Sequence, residues 1–364
     1  MSKIDNSRPL RIGIVGAGMV TQVVHLPVLF GLSAKFRPLG IYDVDGARAA
    51  AVSEAFSLPK RYTTPEDLAK DEEVDAVLVC NSDEHHADAT CVALNYQKAV
   101  LLEKPAALSL KEIDQMIALQ KSAQRPVMIG YMRSFADAVD ALRGQLASLG
   151  KIKLVISRDI IGPNDYFIRQ AAPVIGPQEI TESFKEESKR RVSRAAVEYG
   201  IAENEPEIKR AWVYLTSVSV HDFSTLRYFF GPPQHVLSAI VVGAGEGVTV
   251  HGLFPNRVPF TYDFLIDTQG RFDARIEIFA EKGTAVLTYN TPFPRNLPTT
   301  VEWLRTENDR FEVTTERPSY VDPYTRQWEQ FHRVVTADAE PRTTLAGARE
   351  DMVLIKEVIS KLKR

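Results

Sequence analysis

Short apolar runs rich in β-branched residues alternate, over the first third of the chain, with longer segments of helical periodicity. The runs are Leu10–Val15, Phe36–Tyr42, Val74–Cys80, Ala99–Leu102 and Val127–Tyr131. This alternation predicts a parallel β-sheet covered by helices on both faces. Ligands of such sheets bind at the carboxyl ends of the strands, so the residues just past each run are candidates for function. These candidates are Gly16–Val20, Asp43, Asn81–His86, Glu103–Pro105 and Met132–Phe135.

The pattern changes after about residue 150. A strand is predicted at Lys153–Ile161, and a highly charged block of helical periodicity follows at about 162–211. Alternating runs joined by glycine-containing turns come next (VLSAIVVGAG, VPFTYDFLIDT, DARIEIFAEKG, TAVLTYN), as an antiparallel sheet requires. We therefore predict a first domain at 1–130 and a second at 131–345. The interspersed charges of the block predict a solvated, salt-bridged insertion or an oligomer arm.

Composition narrows the class of protein. A chain of 364 residues suits two domains, and its net charge of −3 shows no electrostatic footprint for nucleic acid. The N-terminus lacks the apolar region of a signal peptide, and no apolar run is long enough to span a membrane. Cys80 and Cys91 do not make a disulfide framework, and the chain offers too few clustered Cys and His residues for a zinc site. We expect a cytoplasmic protein without a metal.

The sequence GAGMVT, directly after the first run, carries candidate cofactor chemistry. Gly16 permits a tight turn, and Gly18 lets a pyrophosphate approach the backbone. Met19 and Val20 begin the following helix, whose free N–H groups and partial positive charge favour a phosphate. Thr21 replaces the third glycine of the dinucleotide-binding fingerprint. Two glycines alone also suit a plain strand-to-helix turn.

Asp43 ends the second run about twenty residues past the glycines, where a dinucleotide-binding fold places a carboxylate on the adenosine ribose. A carboxylate there accepts hydrogen bonds from a 2′-hydroxyl and repels a 2′-phosphate. No arginine follows it directly, and Arg48 is further on. The sequence therefore favours NAD over NADP. A solvated turn acid is the alternative for Asp43, and Asp45 is its rival for the ribose.

Lys104 follows the fourth run in the sequence LLEKPAAL. At the ligand-facing edge of a sheet, a lysine can hydrogen-bond a substrate hydroxyl and stabilise the alkoxide that forms as hydride leaves. The alternative is a surface Glu-Lys ion pair at a turn, which Pro105 terminates.

Taken together, the motifs resemble the glucose-fructose oxidoreductase/inositol dehydrogenase/MocA (Gfo/Idh/MocA) family of NAD(P)-dependent oxidoreductases. The stretches that carry the resemblance are GIVGAGMV with the downstream HLP, the strand-end Asp43, VLVCNSDEHHADATCVALNYQKAVLLEKP, GYMRSF and VHDFSTLRYFFG. The resemblance spans nearly the whole chain, and the order and spacing of the stretches are more specific than any one of them.

The resemblance implies an architecture of class α/β plus α+β. An N-terminal Rossmann domain would precede a C-terminal α/β domain built on a large open, mostly antiparallel sheet, and a terminal helix at 346–364 would pack back on the Rossmann domain. It also implies sugar, cyclitol or polyol substrates and a homodimer or homotetramer formed through the C-terminal sheet.

The resemblance also implies roles for individual residues. Lys104 matches the lysine of the family's EKP motif, with Glu103 near the cofactor and Pro105 often a cis proline. Asn81 matches a position that lines the nicotinamide ribose. His86 matches the histidine at the start of the family's next helix and is counted with the cofactor-binding residues.

His221, in the stretch TSVSVHDF, matches the family's general acid/base histidine. Relatives commonly have an aspartate four residues earlier, where this chain has Ser217. Ser217 would share a helix face with His221, but it carries no charge to stabilise an imidazolium. Asp222 should face elsewhere.

Three hypotheses follow from the missing aspartate. Lys104 and His221 act with a carboxylate from elsewhere, the insertion supplies a replacement acid or tyrosine, or the protein binds ligands without redox chemistry. A purely structural His221 is a further alternative. The predicted substrate contacts are Arg133, Tyr166, Arg169, Ser217 and His221.

We therefore predict an NAD-dependent dehydrogenase that oxidises a secondary hydroxyl of a sugar, glycoside or cyclitol. The alternatives are an NAD-cofactored glycosidase that works by oxidation and elimination without net NAD reduction, and a non-catalytic sugar- or nucleotide-sensing regulator.

Overall fold

The computed structural model describes residues 8–362, and their contacts divide them into two compact units. The first unit comprises the chain up to Gly130, Ala172–Glu198 and Gln327–Arg349. The second comprises Tyr131–Ala171, Tyr199–Arg326 and the chain from Glu350. Within the described residues, no helix is both long and apolar enough to cross a membrane.

The first unit contains a parallel sheet with helices between its strands. Its strands are β1 (Leu10–Val15), β2 (Phe36–Tyr42), β3 (Lys60–Arg61), β4 (Ala76–Val79), β5 (Ala99–Leu102) and β6 (Val127–Ile129). They pair in the order β3-β2-β1-β4-β5-β6, and every pair is parallel. The crossover in strand order lies between β1 and β4, which makes their carboxyl ends the expected ligand site. The predicted Rossmann fold is confirmed.

The helices of this unit follow the predicted alternation. They are α1 (Leu26–Gly31), α2 (Gly46–Ala55), α3 (Pro65–Lys70), α4 (His86–Asn95) and α5 (Leu110–Ala123), and a π-helical turn at Thr21–His25 precedes α1. Thr64 caps α3 by accepting a hydrogen bond from the Asp67 backbone, with Pro65 at the first helical position. β1, β4 and β5 are almost wholly buried because helices cover both faces of the sheet.

The second unit is built on a larger sheet. Its helices are α6 (Asp137–Gln145), α7 (Asn164–Ala171), α9 (Pro206–Tyr214) and α10 (Val220–Phe230), with α8 (Glu182–Glu198) assigned to the first unit. Its strands are β7 (Ile152–Ile161), β8 (His235–Val242), β9 (Gly247–Phe254), β10 (Val258–Ile266), β11 (Phe272–Ala280), β12 (Gly283–Tyr289), β13 (Thr300–Glu307) and β14 (Arg310–Glu316).

These strands pair in the order β14-β13-β12-β11-β7-β10-β9-β8. The pairs are antiparallel, except that β7 and β10 run parallel. Along β10, Phe260, Tyr262 and Phe264 are buried and alternate with more exposed residues, because successive side chains of a strand point to opposite faces. The predicted large, mostly antiparallel sheet is confirmed.

The last helices, α11 (Pro323–Thr336) and α12 (Leu345–Leu362), change the domain division that the sequence predicts. Residues of α12 from Glu350 onward belong to the second unit, whereas the family resemblance implies that 346–364 packs on the Rossmann domain. Asp351, which is 1% exposed, accepts hydrogen bonds of 2.8 and 3.0 Å from Arg227, and Glu357 accepts one from the backbone of Val236. Residues 363–364 lie outside the described part.

The insertion is also divided differently. The sequence assigned about 162–211 to the second domain, but Ala172–Glu198 belongs to the first unit. Its helical pattern was predicted correctly, since α7, α8 and α9 cover much of it.

Candidate functional site

The glycine turn after β1 has the shape that a phosphate-binding loop needs. Gly16 has a φ of +106°, and a Cβ on it would lie 2.2 Å from the carbonyl oxygen of Cys80, so only glycine fits. A Cβ on Gly18 would meet no atom within 4 Å, which leaves open space beside this backbone. The turn therefore offers an accessible backbone at the second glycine, as a pyrophosphate requires.

Thr21 stands where the fingerprint has its third glycine. Its side chain is fully buried, and its hydroxyl donates a hydrogen bond of 2.7 Å to the carbonyl oxygen of Gly16. This hydrogen bond stabilises the conformation of the turn. Met19 and Val20, at the start of the helix, are half-buried.

Asp43 lies at the end of β2 and is 7% exposed. Its carboxylate accepts hydrogen bonds from the backbone of Ala17 at 2.6 Å and of Asp45 at 2.8 Å. The guanidinium of Arg48 donates to both of its oxygens, at 2.8 and 2.9 Å. The carboxylate of Asp43 is therefore paired with a cation, although Arg48 does not follow it directly in the sequence.

Asp45 does not compete for the ribose position. It is fully buried and caps α2 by accepting from the backbone of Arg48 at 2.9 Å. Its other oxygen accepts from the backbone of Gln178 and Glu179, at 2.6 and 3.0 Å. Burial alone raises the pKa of Asp45, but these three N–H groups hold it below its ordinary value.

A cavity of about 680 Å³ in the first unit is lined by some of these groups, and its size falls within the range of ligand pockets. Its wall includes Gly18, Asp43, Arg48, Asn81, His85, Ile180 and Phe184. The Oδ1 atom of Asn81 is buried and has no hydrogen-bond partner among the described residues. An open glycine backbone, an acid at the end of β2 and an unpaired acceptor are groups that suit a dinucleotide.

His86, which the sequence predicts among the cofactor-binding residues, lies inside the protein. Its side chain is 1% exposed, and its two ring nitrogens contact the carbonyl oxygens of Pro105 and Asn81 at 2.7 and 3.1 Å. Both nitrogens contact the protein itself, so His86 joins two loops, and its cofactor-binding role stays a prediction. Its neighbour His85 lines the cavity instead.

The Glu103–Lys104 pair divides into a buried and an accessible residue. Glu103 is 5% exposed, and its carboxylate accepts from Nε2 of His25 at 3.0 Å and from the backbone of Lys104 at 3.1 Å. Because its oxygens take donors of the chain itself, we assign Glu103 a positioning role rather than the predicted cofactor contact. Lys104 is half-buried, and its peptide bond to Pro105 is cis.

The second unit holds His221, in the first turn of α10. The side chain is nearly buried, and its ring makes an edge contact with Tyr131 at a centroid distance of 6.3 Å. The preceding residues Leu215–Ser219 form a π-helical turn. Within it, the hydroxyl of Ser217 donates to the carbonyl oxygen of Val213 at 2.7 Å. The roles of His221 and Ser217 in proton transfer or substrate binding stay predictions.

Arg133, a predicted substrate contact, is held in a buried ion-pair cluster. It is 5% exposed, and its guanidinium donates to Asp159 at 2.9 and 3.2 Å and to Asp222 at 2.8 Å. Its positive charge stabilises the two buried acids Asp159 and Asp222, because a buried charge without a partner is costly. Asp222 faces Arg133, as expected from its position next to His221.

The other two predicted substrate residues lie on α7. Tyr166 is 47% exposed and packs on Gly270, where a Cβ would approach its ring to 2.7 Å. Arg169 is exposed and donates to the backbone oxygen of Asp165 at 3.2 Å. Both side chains remain accessible, and their substrate role stays a prediction.

Sequence reasoning missed several groups around the cavity. The spacing along the chain does not pair Arg48 with Asp43, and the charges around Ile180 and Phe184 predict a solvated insertion and not a cavity wall. Phe184 and the apolar pair Ala195 and Ala196, which is buried, are the sequence signals that α8 has a covered side.

Comparisons with known proteins agree with this geometry. Residues 10–131 match the profile of the family described as "Oxidoreductase family, NAD-binding Rossmann fold". Inositol 2-dehydrogenase of Salmonella typhimurium is 35% identical over 128 residues, which are 35% of this chain and 38% of that protein. Myo-inositol 2-dehydrogenase of Thermotoga maritima is 29% identical over 171 residues, covering 44% of this chain and 48% of that protein. The matches thus span less than half of these relatives.

A solved structure extends the likeness in fold to the whole chain. The 3-ketoreductase KijD10 of Actinomadura kijaniata, in complex with NADP and TDP-benzene, superposes with a TM-score of 0.74 at 18% identity, over 97% of this chain and 98% of that chain. At this identity the likeness concerns the fold alone.

Proposed function

We propose that the chain, whose residues 10–131 match the NAD-binding Rossmann fold of the Gfo/Idh/MocA oxidoreductase family, is an NAD-dependent dehydrogenase of a carbohydrate. The proposed reaction oxidises a secondary hydroxyl of a sugar, glycoside or cyclitol to a ketone. The observation that carries the proposal is the open backbone of Gly18 in one cavity with Asp43, at the crossover of the parallel sheet.

The first unit would bind the cofactor, with its pyrophosphate on the turn at Gly18 and a hydroxyl donating to Oδ1 of Asn81. A bound nicotinamide would accept the hydride that leaves the substrate carbon. Lys104, on the turn after β5, would donate a hydrogen bond to the reacting hydroxyl and stabilise the developing alkoxide. His221 would accept the hydroxyl proton as general base.

The substrate class rests on the relatives. Two curated relatives act on cyclitols according to their names, inositol 2-dehydrogenase and myo-inositol 2-dehydrogenase. Tyr166 and Arg169, exposed on α7, are the proposed substrate contacts of the second unit. Ser217 is the third, through its hydroxyl.

The preference for NAD over NADP is proposed from Asp43, whose carboxylate repels a 2′-phosphate. Arg48 acts in the opposite sense, because its guanidinium lines the same cavity and attracts a phosphate. Binding of NADH and NADPH by the wild type and by Arg48→Ala tests the balance. We expect the wild type to bind NADH more tightly, and Arg48→Ala to widen the difference. Tighter binding of NADPH by the wild type would contradict the proposal.

The central test follows the absorbance of NADH with NAD and a panel of sugars, glycosides and cyclitols. We expect steady NADH formation with a member of the panel, and a loss of about 10²-fold or more in kcat for Lys104→Ala, the usual size of a proton-transfer or oxyanion contribution. Lys121→Ala, which removes an exposed lysine on α5, is the matched control.

A flat trace despite tight NADH binding would contradict the simple dehydrogenase. Release of an aglycone from a glycoside in that same sample would identify oxidation and elimination with the cofactor regenerated. Binding of both ligands without any product would identify the sensing regulator. A cytoplasmic location and an oligomer through the second sheet stay predictions.

A further inference from the structure

Part of the insertion is fastened to the cofactor-binding unit through buried polar groups. The side-chain amide of Gln22, only 4% exposed, pairs with the backbone of Ile175 in both directions. Its Nε2 donates to the carbonyl oxygen at 2.9 Å, and its Oε1 accepts from the backbone nitrogen at 2.8 Å. Gln22 lies in the helix that begins at the glycine turn, so this attachment is directly behind the phosphate-binding loop.

A second attachment uses Asp45. Its buried carboxylate accepts from two consecutive backbone nitrogens of the insertion, those of Gln178 and Glu179. The same carboxylate caps α2, immediately after the strand end that carries Asp43. The chain between residues 175 and 179 is therefore held at two points, one in the helix that follows β1 and one at the start of α2, which follows β2.

Helix α8 continues along the same unit. Phe184 stacks on the ring of His85, with centroids 4.9 Å apart and planes 19° apart. Arg191 donates to the carboxylate of Asp88 at 2.6 Å. At the end of the helix, Glu198 accepts from the hydroxyl of Ser109 at 2.7 Å.

These attachments bring side chains of the insertion into the wall of the dinucleotide cavity. Ile180, Phe184 and Ser188 line the same cavity as Gly18 and Asp43. In a Rossmann fold the second glycine marks the pyrophosphate and the acid at the end of β2 marks the adenosine ribose. The insertion therefore contributes to the half of the cavity that takes adenosine.

We propose that residues 172–198 form a cofactor strap, a built-in wall that contacts the adenosine half of the bound dinucleotide and slows its release. This inference rests on the proposed function, because it requires a dinucleotide in the cavity. Gln22 and Asp45 act as its anchors, and the ring of Phe184 supplies an aromatic surface for the nucleoside. An aromatic contact to a base contributes enough to change affinity by an order of magnitude.

The test measures the release of NADH from the full-length protein by stopped-flow fluorescence, with excess ADP-ribose as the displacing ligand. We expect Phe184→Ala to release NADH about tenfold faster than the wild type and to bind ADP-ribose about tenfold more weakly. Its affinity for nicotinamide mononucleotide should be unchanged, because the strap contacts the other half. Val197→Ala, at a 66% exposed position of α8, is the matched control.

A second variant tests the strap without changing Phe184, so that a local packing defect in Phe184→Ala cannot explain both results. Asp45→Asn keeps a good cap for α2, since asparagine caps as well as aspartate, but weakens the hold on Gln178 and Glu179. It should also release NADH faster, without a change at the ring of Phe184. Release rates equal to the wild type in both variants, with thermal unfolding unchanged, would overturn the strap.

The outcomes separate the strap from the proposed function. A wild-type protein that binds neither NADH nor NADPH overturns both. A protein that binds NADH, oxidises no carbohydrate and releases NADH faster in the two variants keeps the strap and refutes the dehydrogenase. Normal oxidation with unchanged release in both variants refutes the strap alone.

Discussion

The indole nitrogen of Trp328 donates a hydrogen bond of 3.1 Å to Nδ1 of His25, which is fully buried. An indole N–H only donates, so Nδ1 is the acceptor and the ring proton lies on Nε2. Nε2 then donates to the carboxylate of Glu103 at 3.0 Å. Burial acts to raise the pKa of Glu103, but the hydrogen bond from His25 holds it below its ordinary value. A charged carboxylate is thus fixed under the backbone of Lys104.

This chain of donors predicts an effect of Trp328 on the reaction. Trp328→Phe removes the donor that selects the tautomer of His25, so Glu103 would lose a defined partner and Lys104 its fixed position. We expect kcat to fall about tenfold and its pH profile to shift, with NADH affinity unchanged. Trp303→Phe, which removes an indole donor to Glu316 in the second unit, is the control. An unchanged pH profile would mean that the hydrogen bonds from Trp328 through His25 to Glu103 stabilise the fold but do not affect the reaction.

The two glycines of the turn should respond differently to the same substitution. Gly16→Ala places a methyl group against the Cys80 backbone at a positive φ, and we expect it to destabilise the fold by about 3 kcal/mol or more. Gly18→Ala meets open space, so the stability should change by less than about 1 kcal/mol. NADH should nevertheless bind at least about tenfold more weakly, because the methyl group occupies the approach of the pyrophosphate. Urea unfolding and fluorescence titration measure the two effects. Unimpaired NADH binding by Gly18→Ala would contradict the proposal that the pyrophosphate binds at the glycine turn.

Arg133 should matter for stability rather than for substrate affinity. Arg133→Met leaves Asp159 and Asp222 buried without their cation, and we expect a loss of about 3–5 kcal/mol in the free energy of unfolding. Burial already raises the pKa of Asp222 well above its ordinary value, against the effect of Arg133. Arg169→Met, on exposed α7, should leave stability unchanged. If instead Arg133→Met raises KM without lowering the urea midpoint, the result would support a direct contact between Arg133 and the substrate.

Asp351 predicts a pH dependence of stability. Its burial raises the pKa to about 6, although Arg227 donates to it at 2.8 Å. The folded state therefore favours the protonated acid. This contribution is fully present below the unfolded pKa of about 4 and is lost as the pH rises through about 6. Relative to Asp351→Asn, the wild type should lose about 2 kcal/mol between pH 4 and pH 7 in urea unfolding. Parallel curves for the two proteins would contradict this.

Much of the fold could be predicted from the chain alone, since the signals are local. The glycine turn, the strand-end Asp43 and the runs β1, β2 and β5 follow from neighbouring residues, because strand propensity, φ preference and hydrophobic periodicity act over short distances. The boundaries of these three strands agree with the predicted ones. Lys104 was singled out by its place after a buried strand.

The tertiary structure decided which polar groups are available. Arg133 and Glu103 have the same sequence signal as Lys104, a charge just past a strand, yet both are buried against partners that lie far away along the chain. The pairing of Gln22 with Ile175 spans 153 positions. Such contacts depend on where the chain returns in space, and the cost of burying an unpaired charge or amide then selects the partner. Sequence by itself therefore determined the cofactor-binding frame, and the packing determined its wall and its accessible side chains.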